Sequence, residues 1–285
     1  MTSWLQINIK STPAQIEALA DFVFTLSGRG VQINDEEQEV WELVGFLDPS
    51  PHLPQPLQDY LASLPEPYSL ASSDLPEQDW HQNWRRNFSP FELTEQIWIA
   101  PPWEEAPLRP GQFAVIIDPG QAFGTGRHQS TQLCLLHLQD FARKGEIPST
   151  MLDVGCGTGI LSLTFLRLGG KKARAIDIDP LALAAARHNA ILNRQDGLQA
   201  DATLLEDIDQ LFPLLAANLT AADLCRLAPR LSALVSPGGR LLASGMLRNQ
   251  KDRVAEFMAC HTLTLEKESD SGEWASLVFR KEAAR

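Results

Sequence analysis

The stretch Met151–Ile160, MLDVGCGTGI, constrains this chain more than any other. An apolar run ends in Asp153, glycines follow at Gly155, Gly157 and Gly159, and a helix-like segment, ILSLTFLRLGG, comes next. The pattern predicts a strand, a tight turn and a helix start. Glycine suits a backbone that must take positive φ and let a ligand approach the main chain. Asp177 stands 24 residues after Asp153, in the next apolar run, ARAIDID. An acid in that place can accept both hydroxyls of a ribose in a nucleotide-binding α/β fold.

The spacing of the glycines narrows the nucleotide. A dinucleotide fingerprint needs glycine three residues after Gly157, where Ile160 stands. An NAD-dependent oxidoreductase is disfavoured on that ground. The order here is G-x-G-x-G, with an acid two residues before the first glycine. It resembles the loop of S-adenosylmethionine-dependent methyltransferases of the Rossmann-like class.

The 285 residues suffice for one large domain or two ordinary ones. Hydrophobic content of 44% and charged content of 21% describe a soluble globular chain. No apolar run approaches a membrane span, and MTSWLQINIK is not a secretory signal, so the cytoplasm is expected. The four cysteines form no C-x-x-C pair and no His cluster accompanies them, so neither a metal nor a disulfide framework is expected. Cys156, inside the glycine loop, reads as a small residue that fits rather than a nucleophile. The net charge of -12 opposes phosphate neutralisation, so direct nucleic-acid recognition is not expected, and a basic protein partner suits the chain better.

Residues 1–72 read as strand, helix, strand, strand, helix, strand, the order of a ferredoxin-like α+β unit. Ile16, Leu19, Ala20, Val23 and Phe24 share a helical face, and Gly28 reads as the stop. Nothing in this unit looks catalytic, and substrate recognition is the preferred reading over dimerisation. Residues 73–92 read as an interdomain linker helix with Trp80 and Trp84 at i and i+4. His81, Arg85 and Arg86 read as a solvated face. Residues 93–285 read as the ligand-binding domain. Its strands alternate with helices, which predicts a mostly parallel sheet of seven strands closed by an antiparallel hairpin. Asp201 falls near the end of the third strand and Asn218 at the end of the fourth. Upstream, DPGQAFGTGRHQST (118–131) leads into a helix with Ser130 and Thr131 at its start. His128 is the residue to nominate as a base, against the commoner structural role of a loop histidine.

The motifs DWHQNWRRNFSPFEL, DPGQAFGTGRHQST, MLDVGCGTGIL, AIDIDPLALAAARHN, AANL and SGMLRNQ resemble, in order and spacing, those of the PrmA family. That family methylates the eleventh protein of the large ribosomal subunit. The DPGQAFGTG loop is the specific part of the match. The resemblance implies a Rossmann-like methyltransferase fold, S-adenosylmethionine as cofactor, and N-methylation of lysine side chains and the N-terminal α-amine. It also implies that the small unit holds the ribosomal protein. Carried over residue by residue, it assigns cofactor contacts to Thr131, Gly155, Asp177 and Asn218. Gly157 and Gly159 shape the methionine side, and Asp201 is assigned to the adenine side. The loop from Gln121 to Gly126, with Phe123 and Gly124, is expected to close over the site. Asn218 is expected to orient the target amine. A monomer is favoured.

Two departures bear on the substrate. The family's GTGTHPTT reads GTGRHQST here, with Arg127 and Gln129, and its NIL reads Asn218, Leu219, Thr220. The first keeps open another protein or a small amine as substrate. The second keeps open a cofactor-binding ribosome partner without turnover.

Overall fold

The computed structural model describes residues 3–27, 31–34, 40–48, 50, 52–65, 67–76, 88–118 and 124–282. Contacts divide the chain into two compact units, with the division between Phe88 and Ser89. Trp80, Trp84 and the expected linker helix lie outside the described residues.

The first unit contains β1 (Ser3–Ser11), α1 (Pro13–Ser27), β2 (Gln32–Asn34), β3 (Trp41–Leu47), α2 (Gln55–Ala62) and β4 (Ser69–Pro76). The sheet order is β2-β3-β1-β4 and every pairing is antiparallel, which is the ferredoxin-like arrangement. Alternation explains the core. Leu5, Ile7 and Ile9 of β1 are buried with Leu43 and Leu47 of β3, while the residues between them point the other way. Ile16, Leu19, Ala20 and Val23 of α1 complete that core. Phe24, expected on the same face, is 55% exposed, so the apolar stripe of α1 is narrower than the sequence suggests. Phe22 instead stacks on Tyr60 of α2, with ring centroids 4.2 Å apart. Strand β4 runs on to Pro76, past the expected boundary at 72.

The second unit begins with β5 (Phe91–Glu92), β6 (Ile97–Ala100) and β7 (Phe113–Ile116), a separate three-stranded sheet. Residues 91 and 92, assigned by sequence to the linker, thus belong to this sheet. Helix α3 (Gln129–Arg143) follows. Then come β8 (Thr150–Val154), α4 (Ile160–Arg167), β9 (Lys172–Ile176), α5 (Pro180–Leu192), β10 (Leu198–Asp201) and β11 (Phe212–Asn218). The chain ends with α6 (Ala221–Leu234), β12 (Val235–Leu247), α7 (Lys251–Ala259), β13 (Leu263–Ser271) and β14 (Trp274–Lys281). The seven-stranded order is β10-β9-β8-β11-β12-β14-β13, parallel except for β14, which pairs antiparallel with β12 and β13. One apolar cluster joins β6 and β7 (Ile97, Ile99, Val115) to α3, α4 and α5, and a second packs α6 and α7 on the sheet. Strands β8 and β11 are covered on both sides, which is why they read as continuous apolar runs.

His137 of α3 is 2% exposed, and neither ring nitrogen has a hydrogen-bond partner among the described residues. Burial, with Lys267 nearby, lowers its pKa from 6.5 to about 4. The unfolded chain takes up this proton first, so stability is lost as pH falls from 6.5 towards 4. The gap is worth about 3 kcal/mol. Asp153 acts oppositely. Burial raises its pKa to about 6, so its cost at neutral pH is relieved as pH drops below that value. His137→Leu should therefore flatten the acid limb of a denaturant-melt series between pH 6.5 and 4. An unchanged limb would show that His137 is protonated in the folded protein.

Candidate active site

In an open parallel sheet, ligands bind beyond the carboxyl ends of the strands, where the strand order reverses. Here β8 leads by way of α4 to β9 on one side, and β11 lies on the other. The switch point is therefore the β8–β11 gap. Register pairs Val154 with Ala217, so Gly155 and Asn218 leave the sheet side by side.

The turn after β8 is held by its own backbone. Gly155 and Cys156 donate N–H groups to Ile176 O at 2.9 and 3.1 Å, and Gly159 N–H reaches Cys156 O at 2.8 Å. Gly155, Gly157 and Gly159 have φ of 70°, 52° and 78°. At Gly155 there is a second constraint: an added Cβ would lie 2.6 Å from Leu219 Cδ2. Leu219 follows Asn218, so this glycine lets the two strand ends come together.

Asp177 sits just past β9. One carboxylate oxygen accepts Gly157 N–H and the other Asp179 N–H, both at 3.0 Å. A carboxylate has about four acceptor sites, so two ribose hydroxyls can still be received. The acid thus orders the glycine turn before any ligand arrives.

Asn218 Nδ2 donates to Thr131 Oγ1 at 3.2 Å, while Asn218 Oδ1 is buried with no partner among the described residues. Thr131 itself is buried in the first turn of α3. Ser244 of β12 ties that turn to the sheet, its one hydroxyl proton shared between Ser130 O at 3.1 Å and Ala275 O of β14 at 3.0 Å. A buried carbonyl oxygen without a donor is costly unless a ligand supplies one. The residues therefore fit a nucleotide ligand whose neighbour carries N–H groups.

Other expectations fall differently. Burial pushes Asp201 upward, but hydrogen bonds from Arg174 and Thr203 outweigh it and hold the acid below its usual value. Its oxygens take Arg174 Nε at 3.1 Å, Arg174 Nη2 at 3.3 Å and Thr203 N–H at 2.9 Å. Asp201, expected at the adenine, thus also secures β10 to β9. His128 is the N-cap of α3, with Nδ1 accepting Ser130 N–H, and its ring stands edge-on to Trp274 at 4.3 Å. A cap and packing role, not that of a base, accounts for it. Burial pushes the Cys134 thiol up to about 12 and that of Cys156 higher still, so neither is a nucleophile. Among the described residues no group of three or more potential ligands could hold a metal. Phe123 lies outside the described residues. Gly124 is described, and its carbonyl accepts Thr158 Oγ1–H at 2.5 Å.

Each departure from the family pattern has a local partner. Arg127 donates to Ser89 O at 3.1 Å and lies over the Phe91 ring at 5.2 Å. The Gln129 side chain lies against Gly272 in the β13–β14 turn. Thr220 is the N-cap of α6 and accepts Asp223 N–H at 3.2 Å. Thr220→Ala should cost about 1 kcal/mol in denaturant melts and leave turnover intact. A large fall in kcat would instead place Thr220 at the substrate.

The sequence did not single out Thr158, Asn189 or Asn193. Asparagine is a poor residue for a helix interior because its amide competes for backbone partners. Asn189 inside α5, followed four residues later by Asn193 at its C-cap, was the available signal.

The strand order, the glycine turn, the acid beyond β9 and the strand-end asparagine define an S-adenosylmethionine-dependent methyltransferase of the Rossmann-like class. The family model described as ribosomal protein L11 methyltransferase (PrmA) matches residues 3–282. The chain belongs to this family. A ribosomal protein L11 methyltransferase of Geobacter metallireducens is 35% identical, with 98% of each chain covered. That of Azotobacter vinelandii is 39% identical, covering 88% of this chain and 90% of the relative. Among solved structures, a ribosomal protein L11 methylase from Lactobacillus delbrueckii subsp. bulgaricus superposes with a TM-score of 0.63 at 32% identity. It covers 68% of this chain and all of its own. Among the described residues no helix is long and apolar enough to cross a membrane.

Proposed function

We propose that this methyltransferase N-methylates ribosomal protein L11 on lysine side chains and on the N-terminal α-amine. The observation that carries the reading is the buried, unpartnered Asn218 Oδ1 at the switch point. Family membership supplies the substrate class. Gly155, Gly157, Gly159, Asp177, Thr131 and Gly124 would hold S-adenosylmethionine, with Asp177 on the ribose. When bound, this cofactor supplies an electrophilic methyl group on a sulfonium.

The chain's own task is to present a neutral amine in line with that methyl. A free lysine, with pKa about 10.4, is under ~0.1% neutral at pH 7.4, a cost of about 4 kcal/mol. An α-amine, with pKa about 8, costs less than about 1 kcal/mol. Asn218 Oδ1 accepts an N–H of the neutral amine and aims its lone pair at the methyl carbon. With the cofactor bound, the amine nitrogen would take the methyl carbon and the electron pair of the carbon–sulfur bond would leave on sulfur. Proximity to a cation lowers the amine's pKa and offsets much of the lysine cost, so no strong base is required. The amine's surplus proton passes to water.

The ferredoxin-like unit is the recognition module in this reading. The enzyme works as a cytoplasmic monomer, and its acidity suits a basic protein substrate rather than nucleic acid. The test is methyl transfer from labelled S-adenosylmethionine to ribosomal proteins of cells lacking this activity, read by intact-protein mass. Gains in multiples of one methyl on L11 support the assignment. Label on a small amine or on another protein, with L11 unchanged, refutes the substrate. Cofactor binding without label on any of them refutes turnover.

A further inference from the structure

The amide of Asn189 in α5 is 0% exposed and uses both of its ends on backbone far away in sequence. Oδ1 accepts Asp118 N–H at 2.8 Å, and Nδ2 donates to Thr158 O at 3.0 Å. One turn on, Asn193 Oδ1 accepts Ile116 N–H at 2.8 Å and Nδ2 donates to Ile116 O at 2.6 Å. Thr158, between two glycines of the central turn, is also 0% exposed, and its hydroxyl donates to Gly124 O. Asp118 and Gly124 are thus each tied to the cofactor turn, one through Asn189 and the other through Thr158.

We propose that Thr158 and Asn189 are positioning residues that set Asp118 and Gly124 against the glycine turn for cofactor binding. Neither needs to touch the cofactor. Helix α5 does not depend on these amides for its place, because Ala182, Leu183, Ala186 and Ala190 bury its apolar face. The hydrogen bonds bear instead on the approach to the site. Ordering that approach in advance lowers the entropy lost on binding, which appears as affinity. Gly124 fits closely here: with φ of 104°, an added Cβ would lie 2.9 Å from Thr158 Oγ1.

Thr158→Val keeps the shape of the side chain and removes only the hydroxyl. In the full chain it should weaken S-adenosylhomocysteine binding about tenfold by isothermal titration, the loss of one buried hydrogen bond. The Tm of the ligand-free protein should fall by no more than the few degrees that one buried hydrogen bond is worth, and kcat at saturating cofactor should change less than about twofold. Thr158→Ser should restore the affinity. Gly124→Ala, which disturbs the same contact from the other side, should also weaken binding, and it serves if the valine variant does not fold. Wild-type affinity in Thr158→Val or Gly124→Ala overturns the proposal. So does a loss in Thr158→Ser equal to that in Thr158→Val. The wild-type titration reports on the cofactor assignment, the Thr158 variants report on the positioning alone, and Gly124→Ala reports on the contact that the two residues share.

Discussion

Asn218→Ala should lower kcat for methyl transfer by about 100-fold or more, in the range seen when one preorganised polar contact to reacting atoms is removed. The change deletes the only side-chain acceptor left unpartnered at the end of β11 among the described residues. Stability should move little, because the amide makes one hydrogen bond, to Thr131 Oγ1 at 3.2 Å, and the strand ladder to β12 is backbone. The comparison needs three readings: kcat on the protein substrate, Kd for S-adenosylhomocysteine and Tm. A drop confined to kcat identifies Asn218 as an orienting group for the amine. Equal losses in Kd and kcat would assign it to the cofactor instead. Unchanged turnover would remove it from the mechanism.

Asp177→Ala carries the second large effect. The carboxylate holds Gly157 N–H and Asp179 N–H, and under the proposed function it also receives the ribose. Charge-assisted hydrogen bonds contribute roughly twice what neutral ones do, so losing two to hydroxyls should weaken S-adenosylhomocysteine binding by at least about 100-fold. The free turn should also loosen. Backbone amide exchange at Gly157 is the readout, since its N–H loses its acceptor. Affinity within about threefold of wild type would mean the ribose is held elsewhere.

The parts of this architecture that were legible in the sequence are those governed by local pattern. Gly155, Gly157 and Gly159 announce a turn because positive φ is a backbone requirement tied to residue type. Asn218 could be placed at a strand end because PLLAAN is an uninterrupted apolar run that stops there. Side-chain partnerships across long sequence separations were not legible. Asn189 and Asp118 are 71 residues apart, and nothing in either segment advertises the bond. Asp201 looked like a ligand contact because it is an acid at a strand end. Its partner Arg174 lies 27 residues earlier in the neighbouring strand, and only the β9–β10 register brings them together. The histidine in the GRHQS stretch was ambiguous for a similar reason. A cap and a base share the same residue type, and Trp274 arrives from the far end of the chain. Phe24 shows the limit of periodicity: five residues can share a helical face while only four reach the core.

Strands β1 and β4 are antiparallel neighbours, with Ser3 opposite Pro76. The chain therefore enters and leaves the ferredoxin-like sheet at the same end, and the whole unit hangs from one doorway. A unit that closes its own sheet in this way can be exchanged as a cassette, because its replacement need only rejoin the chain after Pro76. Replacing residues 3–76 by the corresponding segment of a homologue would thus test whether this unit addresses the enzyme to its substrate.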